Sequence, residues 1–238
     1  MEKQSDTSSE KNSVREVLAK LEALGRAENV AGMARFGIVV QKAFGVSAPN
    51  LRKLAREIGR DQKLSLALWK TGVHDARHLA GFIGDPDAVT PAQMERWARD
   101  FDSWSVVDGC CCHLFVYTRH AWKKALAWSR REEEFVKRAG FSLMAYLAVH
   151  DREAADGKFL KLLPVIQRGA RDERHFVKKG VNWALRQIGK RNAGLNRAAI
   201  ARAKRIRALG TPAARWIAAD ALRELTSAGV QKRLAARI

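Results

Sequence analysis

Apolar and polar positions along the chain follow the period of an α-helix. Residues 14–24 read Val-x-x-x-Leu-x-x-Leu-x-x-Leu, so the apolar side chains return to one face every three or four positions. There is no convincing alternation of the kind that predicts a β-strand, and the predicted fold class is all-α. Similar periods run over residues 51–58, 64–69, 76–83, 94–101, 104–117, 135–149, 159–166, 176–188, 198–209 and 213–225.

Two stretches in the second half of the chain repeat. The segment Phe135-Val-Lys-Arg-Ala-Gly-Phe aligns with Phe176-Val-Lys-Lys-Gly-Val-Asn at an offset of 41, and residues 184–188 return as residues 221–225 at an offset of 37. Offsets near 40 with paired helices are typical of HEAT-like repeats, which stack into a solenoid. We therefore predict a HEAT-like helical-repeat solenoid with a concave basic surface. Irregular all-α packing is the alternative.

The same pattern predicts how the chain is organised. No linker rich in proline, glycine or serine divides residues 13–238, which are predicted to form one domain. Residues 1–12 are polar, mixed in charge and without the apolar core of a signal peptide, and we expect a disordered tail there. No apolar run reaches the roughly 18 residues that a membrane span requires. A monomer in the cytoplasm is the expectation.

Positive charge is concentrated towards the end of the chain. The net charge is +19, and residues 178–238 carry fifteen lysines and arginines against Asp220 and Glu224, which accounts for +13 of it. This excess favours nucleic acid as the partner, with an anionic membrane surface second. A solvated surface that aids solubility is the alternative. A scaffold that binds only other proteins fits the charge poorly.

The three cysteines are adjacent, at positions 110–112. Adjacent cysteines do not readily bridge one another, and successive helical positions point about 100° apart, so the three cannot all face one metal. We expect buried, reduced thiols. The sequence predicts neither a metal site nor a cofactor.

Trp104 and Asp108 are the first candidates for chemistry. They lie one helical turn apart, which places the face of a ring beside a carboxylate. Such a pair suits a cation, or positive charge that develops during a reaction. Asp108 also lies well past the first turn, next to Val107 and near Cys110, where a carboxylate is expected to have a buried partner or a shifted pKa. The alternatives are a core tryptophan and a solvent-facing aspartate.

The repeated segments add two further candidates. At least one of Lys137 and Arg138 is expected to face the concave side and meet phosphate. Trp183 follows Gly180 and Asn182, whose small or polar side chains leave its ring accessible. A core position between repeats is the alternative for Trp183.

The ordered combination of these motifs resembles the bacterial DNA alkylation-repair glycosylases built from HEAT-like repeats. The likeness covers most of residues 13–225. Gly109, directly after Asp108, and a longer interval between Phe135 and Phe176, through residues 149–158, depart from the family pattern. The matching segments are Phe44-Gly-Val-Ser-Ala-Pro-Asn-Leu-Arg-Lys-Leu54, Leu68-Trp69-Lys70, Asp75-Ala-Arg-His-Leu-Ala80, Trp104-x-x-x-Asp108, Phe135-Val-Lys-Arg138-Ala and Gly180-x-x-Trp183-Ala-Leu-Arg186.

The resemblance implies a monofunctional glycosylase that releases positively charged purines, such as 3-methyladenine and 7-methylguanine, from double-stranded DNA. It implies that Asp108 is the catalytic carboxylate, that Trp104 and Trp183 flank the sugar and backbone at the lesion, and that the base need not be flipped into a pocket. No lysine stands out as a Schiff-base nucleophile, so no lyase activity is expected. The predicted phosphate contacts are Arg138, Lys137, Lys178, Lys179 and Arg186.

A second hypothesis is that the protein binds DNA but does not catalyse base release. A non-catalytic HEAT-like protein could recognise damaged or branched DNA through the phosphate backbone alone. Backbone binding gains nothing from a carboxylate, so the presence of Asp108 beside Trp104 argues against this hypothesis.

Overall fold

The structure is a computed structural model that describes residues 13–236. The tail predicted at residues 1–12 lies outside the described residues. Every regular element within 13–236 is helical, so the all-α fold class is confirmed. None of the helices in this part of the chain combines the length and the apolarity that crossing a membrane requires. The α-helices are α1 (Val14–Ala23), α2 (Ala27–Met33), α3 (Ala48–Ile58), α4 (Gln62–Lys70), α5 (His74–Ile83), α6 (Pro91–Arg99), α7 (Trp104–His113), α8 (Ala121–Trp128), α9 (Glu134–His150), α10 (Asp156–Gly169), α11 (His175–Gly189), α12 (Ala193–Arg207), α13 (Pro212–Leu225) and α14 (Ala228–Ala235), with short 3-10 turns at Ala34–Phe36 and Phe115–Tyr117.

Three of these helices, α2, α8 and α14, lie outside the periodic segments of the sequence. Helix α2 contains no buried residue, so it has no apolar stripe to detect. Helices α8 and α14 bury apolar residues at helical spacing, Ala121, Ala125 and Trp128 on α8 and Val230 and Leu234 on α14, so the sequence carries a helical period there too.

The described residues group into two compact units, one ending at Asp85 and the other beginning at Pro86. In the first unit, the Asp75 carboxylate at the start of α5 accepts hydrogen bonds from the backbone N–H of Phe44 at 2.6 Å and of Val46 at 2.7 Å. Gly45 between them has φ +77°, in the left-handed region that favours glycine. Two of the family-like segments therefore meet at Asp75. That residues 13–238 form one domain stays a prediction.

In the second unit, α7, α9, α11 and α13 lie side by side in that order, and α8, α10 and α12 pack against them. Equivalent positions of neighbouring helices meet: Phe135 and Phe176, each the second residue of its helix, have ring centroids 5.5 Å apart. The offset of 41 residues in the sequence is thus the step from α9 to α11. The concave basic surface stays a prediction.

Close packing fixes α9 at the centre of this second unit. Phe115, Trp128 and Phe141 are fully buried, and each such side chain contributes about 1.5–3 kcal/mol by leaving water. Gly140 lies against the end of α8, where a Cβ atom would come within 2.4 Å of the Ser129 backbone nitrogen. Only glycine permits this approach. Helix α9 is therefore a rigid support for the side chains that it presents to α7 and α11.

Candidate active site

Helix α7 presents Trp104 and Asp108 on its partly exposed face. The Ser103 hydroxyl caps the helix by accepting from the Val106 backbone N–H, which fixes the first turn at Trp104. Val106, Val107, Cys110 and Cys111 are buried on the opposite side. The helix continues through Gly109, although glycine costs about 1 kcal/mol relative to alanine in a helix interior. The predicted one-turn spacing of the pair is thus retained.

Helix α9 holds the Asp108 carboxylate through an arginine and a hydroxyl. Arg138 donates from Nε to Oδ1 at 3.2 Å and from Nη2 to Oδ2 at 2.7 Å, and Ser142 Oγ donates to Oδ1 at 2.8 Å. Arg138 Nη1 donates to the Phe176 carbonyl of α11 at 2.8 Å. The bidentate geometry fixes the plane of the carboxylate. The bond from Arg138 Nη1 to Phe176 links α11 to the ion pair between α7 and α9.

The three donors leave the carboxylate partly available. A carboxylate has about four acceptor positions, and Oδ1 uses two of them while Oδ2 uses one. Among residues 13–236, no further donor to Asp108 is present, and its side chain is 17 % exposed against 8 % for Arg138. By this count, Oδ2 keeps one acceptor position that none of the described donors fills.

Aromatic side chains surround this carboxylate. The Arg138 guanidinium lies 5.8 Å from the Trp104 ring centroid. Tyr146 lies two turns after Arg138 on α9, and burial followed by the negative charge of Asp108 raises its pKa well above the usual range. The phenol therefore stays protonated. We call Trp104, Asp108, Arg138, Ser142 and Tyr146 the Asp108 cluster.

Trp183 of α11 joins the Asp108 cluster through Tyr146. Their ring centroids are 4.7 Å apart in an edge-to-face arrangement, and Trp183 is partly exposed rather than a core residue. The segment 149–158, which departs from the family pattern, does not separate the two helices. Arg191, just beyond α11, donates to the carbonyls of Ala148 and Asp151 at 2.8 and 3.0 Å and holds the end of α9 beside it.

The Arg138 side chain lies buried between Asp108 and the Phe176 carbonyl. This pairing leaves neither the buried guanidinium nor the partly buried carboxylate without an opposite charge. The geometry gives Arg138 a positioning role, and its contact with phosphate stays a prediction.

The other predicted phosphate contacts lie on or near the ends of α9 and α11. Lys137 Nζ is 3.0 Å from Asp172, and Arg186 pairs with Asp220 and Glu224 of α13. Lys178 Nζ lies 5.6 Å from the centroid of the Trp216 ring, while Lys179 is exposed. Lys179 is thus the member of the set most accessible to a bound backbone.

The sequence analysis missed Ser142 and Tyr146. Both lie on α9 at intervals of four from Arg138, just as Cys112 follows Asp108 by four on α7. Extending each candidate by one and two turns along its own helix would have found them. Of the cysteines, Cys110 and Cys111 are buried as expected, whereas Cys112 is only partly buried.

Nothing in this arrangement points to a bound metal ion. Within residues 13–236, no three or more histidine, cysteine, aspartate or glutamate side chains come together as ligands would. The chemistry available to the site is that of a fixed carboxylate beside aromatic faces. Such a site can stabilise a cation and bind a water molecule.

Comparisons with known proteins place the fold and the family. No curated protein matches the chain. One solved structure superposes with a TM-score of 0.73 and 24 % sequence identity, and the match covers 81 % of this chain and 83 % of the matched chain. That protein represents a new family of proteins related to the HEAT-like repeat DNA glycosylases with affinity for branched DNA structures. The likeness supports the predicted HEAT-like fold. The model of the family described as DNA alkylation repair enzyme matches residues 17–225. The chain therefore belongs to the DNA alkylation repair enzyme family.

Proposed function

We propose that this protein is a monofunctional DNA glycosylase for N3- and N7-alkylated purines in double-stranded DNA, with 3-methyladenine and 7-methylguanine as substrates. Its membership of a DNA alkylation repair family supports the substrate class. The observation that carries the proposal is the Asp108 carboxylate, fixed by three hydrogen bonds and still partly exposed beside Trp104. The reaction is hydrolysis of the N-glycosidic bond.

The substrate's own charge explains why one carboxylate is enough. A purine alkylated at N3 or N7 is cationic and leaves as a neutral base, so its departure needs no general acid. The electron pair of the C1′–N bond goes to the base, and the sugar becomes oxocarbenium-like. Asp108 would stabilise that positive charge. Water then adds to C1′, and the remaining acceptor position on Oδ2 can receive a hydrogen bond or the proton from this water.

Arg138 and Ser142 serve as positioning residues in this scheme. They orient Asp108 from α9, a helix fixed by packing, so the carboxylate does not have to reorganise as charge develops. Electrostatic preorganisation of this kind makes the largest single contribution to the rate enhancement of many enzymes. The Arg138 side chain is more deeply buried than Asp108, at 8 % against 17 % exposure, so the sugar would approach the carboxylate rather than the arginine.

The rings would act on the electron-poor sugar. Trp104 and Trp183 present π-faces, each worth roughly 0.5–2 kcal/mol by analogy with cation–π pairs. The Tyr146 ring packs edge-to-face against the Trp183 ring, with 4.7 Å between the two centroids. As the resemblance to the HEAT-like repeat glycosylases implies, we infer that the enzyme reaches the sugar from the backbone side and does not need to flip the base. Lys178 and Lys179 would contact phosphate. The protein is expected to work as a monomer in the cytoplasm without a cofactor.

Base release from methylated duplex DNA tests the proposal. The protein is incubated with a duplex treated with a methylating agent, and the released bases are separated by chromatography. We expect 3-methyladenine and 7-methylguanine, and strands that stay intact until the abasic sites are cleaved chemically. A folded protein that binds the same duplex and releases neither base would overturn the proposal.

A second candidate is a non-catalytic protein that binds damaged or branched DNA. The solved structure with the same fold favours it, since that structure represents a family with affinity for branched DNA. Tight, salt-sensitive binding without base release would support this candidate, because contacts with phosphate weaken as salt displaces them. Release of methylated bases would exclude it.

A further inference from the structure

Trp216 has no part in the proposed reaction, and together with Lys178, one of the lysines proposed to contact phosphate, it forms a surface that we call the Trp216 platform. All seven tryptophans of the chain lie within residues 13–236, and Trp216 is the most exposed of them at 40 %. It is the fifth residue of α13, and Lys178 is the fourth residue of α11, which lies alongside. The Lys178 Nζ atom lies 5.6 Å from the centroid of the Trp216 ring.

The surroundings of the platform are basic. Lys179 and Arg215 are exposed neighbours of Lys178 and Trp216 in the chain. Glu173 opposes them, but its carboxylate accepts from the Ala213 backbone N–H at 3.1 and 3.2 Å and so caps the start of α13. The pKa of His175, in the first turn of α11, is lowered by burial and then by Lys179 and Lys178. That shift is a second sign of local positive potential.

An exposed ring beside ammonium groups matches the chemistry of an unpaired nucleotide. The ring can stack on the face of a base, and the ammonium groups can contact its phosphate. In a paired duplex, neighbouring base pairs cover both faces of each base, so a tryptophan at the backbone has nothing to stack on. A single-stranded segment, a gap or a junction exposes such a face.

We propose that the Trp216 platform binds an unpaired nucleotide of DNA, with the base stacked on Trp216 and the phosphate held by Lys178. Trp216 lies on α13 and Asp108 on α7, and α9 and α11 stand between these two helices. The ring is therefore not a member of the Asp108 cluster. Binding there does not depend on base release.

The test compares single-stranded and paired DNA in two variants. Fluorescence anisotropy measures the binding of a labelled thymidine oligonucleotide and of a duplex of equal length to the wild type, to Trp216→Ala and to Trp216→Phe. We expect Trp216→Ala to weaken single-strand binding at least tenfold more than duplex binding, and Trp216→Phe to restore most of the loss. Equal losses for both DNAs, or no loss, would overturn the proposal.

A matched control and a second measurement keep the result interpretable. Leu160→Ala removes a similarly exposed apolar side chain, 45 % exposed on α10, and should change neither affinity. Stacking on a base also quenches tryptophan fluorescence. The wild type should therefore lose more emission than Trp216→Phe when the single strand is added, and equal quenching of the two proteins would count against stacking at Trp216.

Discussion

Two carboxylates of the second unit, Asp108 and Asp220, are held by side chains of the neighbouring helix but lie in different surroundings. Asp108 on α7 accepts from Arg138 and Ser142 of α9. Asp220 on α13 accepts from Asn182 of α11 at 2.7 Å and lies 3.6 Å from Arg186 Nε. Their side-chain exposures, 17 % and 18 %, are nearly equal. Exposure and pairing therefore do not distinguish them.

The neighbours of each carboxylate make the difference. Asp220 lies in a network of charges with Glu224, in which Arg186, Lys190 and Arg223 supply three cations. Asp108 has one cation, and its other neighbours are a hydroxyl and aromatic rings. A cation-rich network repels an approaching cationic substrate, whereas ring faces attract one. The same kind of aspartate–arginine pair thus stabilises the structure at α13 and can take part in catalysis at α7.

Arg138→Ala should produce the largest effect on stability. It leaves the Asp108 charge partly buried without its main partner, and breaking such a pair typically costs about 3–5 kcal/mol of the free energy of unfolding. Arg186→Ala is the matched change at Asp220, where the arginine is 28 % exposed, and should cost at most about 1 kcal/mol. Urea unfolding measures both. Equal losses would show that the two pairs are equivalent.

Asp172→Asn should give a smaller, pH-dependent loss in an ion pair that serves structure alone. Burial by itself would raise the pKa of Asp172, but hydrogen bonds from Arg174 and Lys137 outweigh it and hold that pKa at about 2. Because the folded-state pKa lies below the unfolded value of about 3.9, the carboxylate stabilises the fold at neutral pH by about 2 kcal/mol. This contribution is lost as the pH falls from about 4 towards 2.

The check is urea unfolding of the wild type and Asp172→Asn across this pH range. The difference in unfolding free energy should be constant above about pH 5 and shrink towards zero near pH 2. A difference that stays constant down to pH 2 would show that the carboxylate's charge contributes nothing.

Trp183→Ala should have a smaller effect, in free energy, than Arg138→Ala or Asp172→Asn, and the effect should be on the rate of base release. Loss of one π-face worth about 0.5–2 kcal/mol would slow base release by roughly 2- to 30-fold, with Trp183→Phe closer to the wild type. Single-turnover base release measures the rate, and duplex affinity measured alongside separates binding from chemistry. A rate unchanged in Trp183→Ala would remove this ring from the proposed site.

The sequence predicted eleven of the fourteen α-helices of the described residues, and the pair on α7, because these depend on local spacing. Residues 47, 90 and 211 cap α3, α6 and α13, as the proline that follows each small polar residue indicates. The partner of Asp108 was not predictable in the same way. It depends on which of Lys137 and Arg138 faces α7, and that choice is made by the packing of α9 between α8 and α11.

The direct test of the central claim is base release by Asp108→Asn beside Asp220→Asn. Both variants remove one charge from a carboxylate of similar exposure, so general charge effects should be alike. We expect Asp108→Asn to lower the single-turnover release of 7-methylguanine about 10²- to 10³-fold while its affinity for the duplex stays within about threefold. Asp220→Asn should keep a rate within about threefold of the wild type. A normal rate in Asp108→Asn, or an equal loss in both variants, would contradict the account.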